Sequence, residues 1–407
     1  MAAASYFSSK SSSASELCAS LTTGRAGGAE ATSVRSFHSD AALDAALEAA
    51  LQPIGAPGGL SAVFQLDKPL RIGAYGVRKL GEAPPMQPSD LVHIGSNTKA
   101  MTAVLLARLV QQKQLQWHST VGDVLGGIQQ EIHPQFRGAT LAQLLQHTAG
   151  VAPDAADWWA YPGEPLRTRR LKIARDGLSP PPLSTPGQLH AYSNLSVLVA
   201  GAMAEEATGR DWEVLMQQEL FTPLGLSSAG FGVPGSTGGA EQPWGHVGGE
   251  GGGCCRCRGG GLLPVQIDND PSLGPAGTVH LTLADWGRFL SIFLEPVDGP
   301  LADEGGGGAA AFLSTASKQQ LLQPGTPGGS YGMGWILAQR SWAGGLALSH
   351  AGSNTSWYTS TWVAPGRGTA FMIAVNAYNK QVQSAANQFI TVAVTQLLAD
   401  VGRQGKT

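Results

Sequence analysis

The chain has 407 residues, 43% of them hydrophobic and 14% charged, and a formal net charge of −3. That length supports one large core, or one domain with a subdomain inserted into it. With no basic stripe to attract a polyanion, nucleic acid and anionic membrane are not expected as partners, and a small molecule or peptide is.

Residues 1–38 are rich in Ser and Ala, with Lys10, Arg25 and Arg35 among few acids and no apolar signal core. They read either as an organellar transit peptide, which would place the protein in a chloroplast or mitochondrion, or as a disordered tail on a cytoplasmic protein. Ordered structure is expected from about residue 39. Asp40 caps a repeat of Ala-Ala-Leu at helical spacing, which Pro53 and the Gly55–Gly59 region end. Ser61–Gln65 and Arg71–Val77 read as short strands joined by a turn around Asp67-Lys68-Pro69. Leu91–Ile94 leads into Ser96, and Asn97–Gln111 reads as a helix apolar nearly all round, hence buried. The most apolar run, Ala100–Val110, contains Arg108 and falls well short of the ~18 residues of a membrane span.

Residues 117–274 read as helices and long loops. Leu141–Gln146 and Leu195–Ala207 are helical, the second closed by Gly209. Asp211 caps another, to about Leu220, and Thr282 is available to cap Leu281–Phe293. A Gly-rich loop at 235–261 holds Cys254, Cys255 and Cys257, with Cys18 far away. The C-x-x-C spacing of Cys254 and Cys257 lacks a second ligand pair, so reduced loop thiols are expected rather than a metal or redox site. Gly345–Ser349, Trp357–Val363 and Ala370–Val375 are β-type runs, and Gln381–Leu398 is a last helix. Strands at both chain ends with helices between suggest one sheet built from both termini. The sheet part takes about 39–116 and 275–400, and the helical insert about 117–274.

The chemistry-bearing residues come in chain order. In Ser96-Asn97-Thr98-Lys99, helical spacing puts Lys99 one turn behind Ser96, on the same face. Such a lysine acts as a general base when burial keeps it neutral. Tyr192-Ser193-Asn194 could relay a proton to a leaving group through Tyr192 and hold a substrate amide through Asn194. A capping Ser with a snorkelling Lys, and a core Tyr with a helix-capping Asn, are the plainer readings of the same residues. His350-Ala351-Gly352-Ser353 ends a β-run. There Gly352 allows close substrate approach, the Ser353 N–H could complete an oxyanion hole with that of Ser96, and His350 would orient the substrate. Among Trp158, Trp159, Tyr161, Trp357 and Tyr358, Trp357 is the best candidate to line the cleft.

The order of these motifs resembles the class C β-lactamase-like and penicillin-binding protein family. Ile94–Ala103 is similar to its nucleophile helix, Leu144–Gly150 to its "LL-x-HTSG" segment, and Tyr192-Ser193-Asn194 to its Tyr-x-Asn. Gly274–Gly277 with Asp285–Leu290, Tyr331–Trp335 and His350-Ala351-Gly352 continue the match over roughly Asp40 to Leu398. The resemblance implies an α/β (α+β) fold, an antiparallel sheet flanked by helices with an all-helical region inserted. It also implies a serine hydrolase working through an acyl-enzyme, with Ser96, Lys99 and Tyr192 catalytic and no metal or organic cofactor. His350 departs from the family's Lys-Thr-Gly lysine, which favours an esterase, amidase or peptidase over a β-lactamase. A true β-lactamase or D-amino-acid peptidase, and a silent fold kept for assembly or partner binding, are the alternatives.

Overall fold

The computed structural model describes residues 40–66, 68–235, 239–248, 261–294 and 312–404. All four cysteines and the 1–38 segment lie outside the described residues.

Asp40 caps the first helix, Ala41–Leu51, its carboxylate accepting from the N–H groups of Ala42 and Leu43. Leu43, Leu47 and Leu51 form its buried stripe. Gly58–Gln65 and Arg71–Gly76 then pair as a hairpin. The C-terminal strands Ile336–Arg340, Gly345–Ser353, Tyr358–Ala364 and Thr369–Val375 join them in one antiparallel sheet of six. Its spatial order runs from Arg71–Gly76 through Gly58–Gln65, Thr369–Val375, Tyr358–Ala364 and Gly345–Ser353 to Ile336–Arg340. The two chain ends thus meet where Gly58–Gln65 pairs with Thr369–Val375.

Alternation along the strands sends side chains to two layers. Val63, Phe371, Ile373 and Val375 pack on one face with Leu43, Leu47 and Leu51 and with Val382, Phe389 and Ile390 of the last helix, Lys380–Gln404. Leu60, Ala62, Met372 and Leu348 face the other way, into the main core with the helices Thr98–Gln111 and Leu283–Leu294. Thr98–Gln111 is enclosed nearly all round, as its composition predicts; Val104, Leu105 and Leu106 have no exposed surface. Trimming Leu105 to Ala would cost about 2–5 kcal/mol. Among the described residues no helix is long and apolar enough to cross a membrane.

The region 117–274 is not all helical. Gly245–Gly248 pairs with Leu262–Val265, and Gly230–Phe231 joins Leu91–His93 and Val279–Thr282 in a small sheet. Strands of two to four residues carry no readable period, which is why the insert reads as helical. Asp211 makes no side-chain cap bond; the helix Trp212–Leu215 passes instead into a π-turn at Met216–Phe221. Thr282 does cap its helix, accepting from the Asp285 N–H at 3.3 Å. The helix Leu166–Leu178 escapes the apolar pattern because arginines lie on its buried side. Arg169 pairs with Asp270 at 2.9 Å, and Arg170 with Glu205 at 2.6 Å and with Glu213.

Candidate active site

Three chain segments converge on Ser96. The residue sits in a 3₁₀ turn, Gly95–Asn97, that feeds straight into Thr98–Gln111. Against this turn lies the end of the strand Gly345–Ser353. An added Cβ on Gly352 would stand 2.0 Å from the Ile94 carbonyl oxygen and 2.8 Å from the Ser96 nitrogen. One on Gly95, whose φ is +51°, would stand 2.3 Å from the Ser353 nitrogen. Only two bare backbones can meet this closely. The contact sets the Ser96 nitrogen against Gly352 and the Ser353 nitrogen against Gly95, so both backbone nitrogens lie along one close backbone contact. Asn97 Nδ2 ties the two segments, donating to the Ile94 carbonyl and to Thr359 Oγ1 on the neighbouring strand.

Lys99 is 1% exposed. Its Nζ lies 2.9 Å from Ser96 Oγ, 2.7 Å from Asn194 Oδ1 and 2.8 Å from the Ala276 carbonyl. Burial lowers its pKa to about 7, against an opposing pull from Asp154. A neutral amine has two N–H donors and one lone pair. Asn194 Oδ1 and the Ala276 carbonyl can only accept, so they take both protons. The lone pair is then left facing the Ser96 hydroxyl, which donates to it. Ala276 belongs to the Gly274–Gly277 segment, clamped over this helix by the hydroxyl of Thr102, which donates to the Pro275 carbonyl at 2.7 Å.

Tyr192 completes the centre. Its hydroxyl is hydrogen-bonded to Ser96, and its ring lies under Lys99 Nζ at 4.9 Å. The residue is 38% exposed overall, yet burial around the hydroxyl pushes its pKa up to about 12. It is therefore a phenol, able to give a proton. The turn at His147–Gly150 places it: His147 has φ +57°, and its carbonyl and that of Thr148 accept from Ala191 and Gly187.

Behind Tyr192 runs a chain of rings that sequence order alone does not reveal. The Ser193 N–H donates to His147 Nδ1 at 3.3 Å, so the ring proton sits on Nε2 and is donated to Tyr331 Oη at 3.3 Å. The Tyr331 hydroxyl donates to His350 Nε2 at 3.1 Å, and His350 Nδ1–H to the Ala351 carbonyl at 2.7 Å. Burial first, then the nearby Lys99 charge, lowers both histidines: His147 well below its usual value, His350 to about 3. Both rings are neutral, and both nitrogens of His350 are engaged inside the protein.

Ser96, Lys99, Tyr192 and Asn194 thus lie together, with Gly352 and Ser353 against the Ser96 turn and His350 linked through Tyr331. Trp357 does not join them. It is 1% exposed, its backbone N–H held by Asn354 Oδ1 while its ring packs in the main core. It has no surface to offer a substrate. Tyr358 packs in the opposite layer, and Tyr161 bonds Asp176 and Arg175 beside the arginine helix. The sequence pattern does not mark Tyr331 as a member of the site and gives no sign of Asp154.

A sequence-family model described as Beta-lactamase matches residues 43–395. The chain belongs to the β-lactamase family. Penicillin-binding protein 4 of Amycolatopsis lactamdurans is 27% identical over 364 residues, covering 85% of this chain and 86% of that protein. An unguisins hydrolase of Aspergillus campestris is 24% identical over 74% of this chain and 55% of its own length. Among solved structures, one titled SurE superposes with a TM-score of 0.67 at 24% identity, over 88% of this chain and 75% of that one. The octameric penicillin-binding protein homologue from Pyrococcus abyssi gives 0.67 at 18% identity, over 87% and 77%. Both share the β-lactamase fold seen here.

Proposed function

We propose that this β-lactamase-family chain is a serine hydrolase that works through an acyl-enzyme at Ser96 on a small ester, amide or peptide. The observation that carries the reading is the buried Lys99 Nζ, 2.9 Å from Ser96 Oγ, with a pKa lowered to about 7 so that the neutral amine is accessible near neutral pH. Lys99 takes the hydroxyl proton as Ser96 attacks the carbonyl carbon. The oxyanion collects the N–H groups of Ser96 and Ser353. Tyr192, a phenol beside Ser96, passes a proton to the departing oxygen or nitrogen, and Lys99 restores it. The leaving group departs, and water then attacks the Ser96 ester by the same steps in reverse order. Hydrolase and amidase relatives support this chemistry.

His350 bears on the substrate. With Nδ1–H on Ala351 and Nε2 accepting from Tyr331, the ring has no free N–H for a carboxylate, and its neutrality removes any ionic attraction. The site therefore suits acyl donors without a carboxylate at this position better than penicillins. A fluorophosphonate probe tests the core of the reading: wild type should label at one serine and Ser96→Ala should not. Rates on nitrocefin, a short-chain p-nitrophenyl ester and a D-Ala-D-Ala peptide then rank the substrates. Nitrocefin as the best of the three would overturn the weight placed on His350.

A further inference from the structure

A second polar cluster lies on the far side of the nucleophile turn from Lys99, and the mechanism above does not use it. His93, 1% exposed, ends the strand just before that turn. Its Nδ1 accepts from the Gly95 N–H at 3.2 Å, so the ring of a neutral His93 carries its proton on Nε2. Nε2 stands 3.0 Å from Asp268 Oδ1. The same carboxylate oxygen accepts from Asn354 Nδ2 at 3.0 Å and from the Asn269 N–H at 2.7 Å. Asn354 immediately follows Ser353, and its own Oδ1 accepts from the N–H groups of Ser356 and Trp357, which fixes the turn leaving the strand.

One carboxylate therefore touches both halves of the oxyanion hole at one remove. Through His93 it reaches Gly95, the left-handed glycine that immediately precedes Ser96. Through Asn354 it reaches the residue after Ser353. The next residue, Asn269, donates to the Gly277 carbonyl at 2.8 Å, one residue beyond the Ala276 carbonyl that holds Lys99. Asp268 Oδ1 thus takes two hydrogen bonds, from Asn354 and from the adjacent Asn269 N–H, and stands within ion-pair distance of the buried His93 ring without an aligned hydrogen bond to it, so that it touches two segments distant along the chain. On the acyl-enzyme reading above, we propose that Asp268 is a positioning residue that sets the spacing of the Ser96 and Ser353 N–H groups through His93 and Asn354.

A hole misplaced by a fraction of an ångström weakens transition-state binding and leaves substrate binding largely alone. Asp268→Asn keeps the size and one acceptor oxygen but loses the charge; His93→Gln breaks the other end of the link. On a short-chain p-nitrophenyl ester, kcat per fluorophosphonate-labelled site should fall roughly 10–100-fold in each, with KM within about twofold. Affinity for an alkylboronic acid, a mimic of the tetrahedral adduct, should fall in proportion to kcat. The double variant should be little worse than the poorer single one, because both cut the same chain. Normalising to labelled sites separates this from partial unfolding, which lowers the labelled fraction alone. Wild-type labelling at Ser96 with unchanged kcat per site and unchanged boronate affinity in Asp268→Asn overturns the positioning role alone. No wild-type labelling at Ser96 overturns the acyl-enzyme reading, and this role with it.

Discussion

Asp154 Oδ1 accepts from Asn194 Nδ2 at 2.8 Å, and this bond decides which end of the Asn194 amide meets Lys99. With Nδ2 drawn to the carboxylate, Oδ1 is left for the lysine. Asp154 also favours the charged form of Lys99, though burial outweighs it and the net pKa is about 7. An exposed aspartate thus fixes the geometry of a buried lysine and partly offsets the effect of burial on its pKa.

A pH profile follows, with its sign. Lys99 must be neutral in the free enzyme, so kcat/KM should rise with pH through an apparent pKa near 7 and then level off. Tyr192, at about 12, stays protonated, so no descending limb is expected below about pH 10. Asp154→Asn keeps an acceptor for Asn194 and removes the charge that stabilises Lys99-H⁺. Its ascending limb should move to lower pH, and only modestly, because solvent at the exposed Asp154 screens its pull on the buried Lys99. A limb that stays put, or moves to higher pH, would contradict the assignment of Lys99 as base.

The Tyr331 hydroxyl is the middle link between His147 and His350. In Tyr331→Phe the His147 Nε2–H and the His350 Nε2 both lose their partner inside the protein. A buried group so orphaned costs about 1–3 kcal/mol, so chemical denaturation at pH 7.5 should show a loss of about 2 kcal/mol or more. Fluorophosphonate labelling of Ser96 should persist, because Lys99 keeps all three of its contacts. Wild-type stability in Tyr331→Phe would mean that the ring chain is not formed.

The candidate site residues are legible because each lies in a short motif whose order along the chain is itself informative. Ser96 and Lys99 share one helical turn, Tyr192 and Asn194 flank one helix start, and His350 and Gly352 point to the same strand face. What is not legible is joined through space. Tyr331 has partners 184 and 19 residues away, and Asp268 reaches His93 and Asn354, in two separate segments. No local period records such pairings. Trp357 shows the converse error. Four residues beyond Ser353 it is close along the chain, but the turn fixed by Asn354 sends its ring into the core. The sheet was readable from short apolar runs bounded by Gly and Pro, except for the edge strand Ile336–Arg340, which is half-exposed and shows no alternation.

Gly352 offers a test of the backbone contact. A methyl group there meets the Ile94 carbonyl at 2.0 Å, and a carbonyl cannot rotate aside as a side chain can. Gly352→Ala must move the strand end away from Ser96 and pull apart the two oxyanion donors. We expect kcat/KM to fall by about 10²-fold or more, in line with the loss of one such donor. Gly138→Ala, with nothing within 4 Å of the added Cβ and a negative φ, serves as control and should change stability by less than about 0.5 kcal/mol. Equal activity in the two variants would remove the case for the hole.

Acid stability should report the buried histidines. His246 has no exposed surface; its Nδ1–H donates to the Asn376 carbonyl at 2.7 Å and its Nε2 accepts from the Leu80 N–H at 3.0 Å. Burial lowers its pKa to about 4, and that of His350 to about 3. In the unfolded chain both titrate near the usual 6.5. Between those values the unfolded state binds a proton that the folded state refuses, so stability falls as pH drops below 6.5. Each group removes about 1.4 kcal/mol per pH unit, or about 2 kcal/mol between pH 7 and pH 5. Urea titrations at those two pH values should show this loss in the wild type. His246→Gln should be less stable at pH 7, where it disturbs the bonds to Asn376 and Leu80, yet should lose about 2 kcal/mol less on going to pH 5. An identical pH 7-to-5 loss in the two proteins would mean that His246 takes up its proton while folded, against the accepting role of its Nε2.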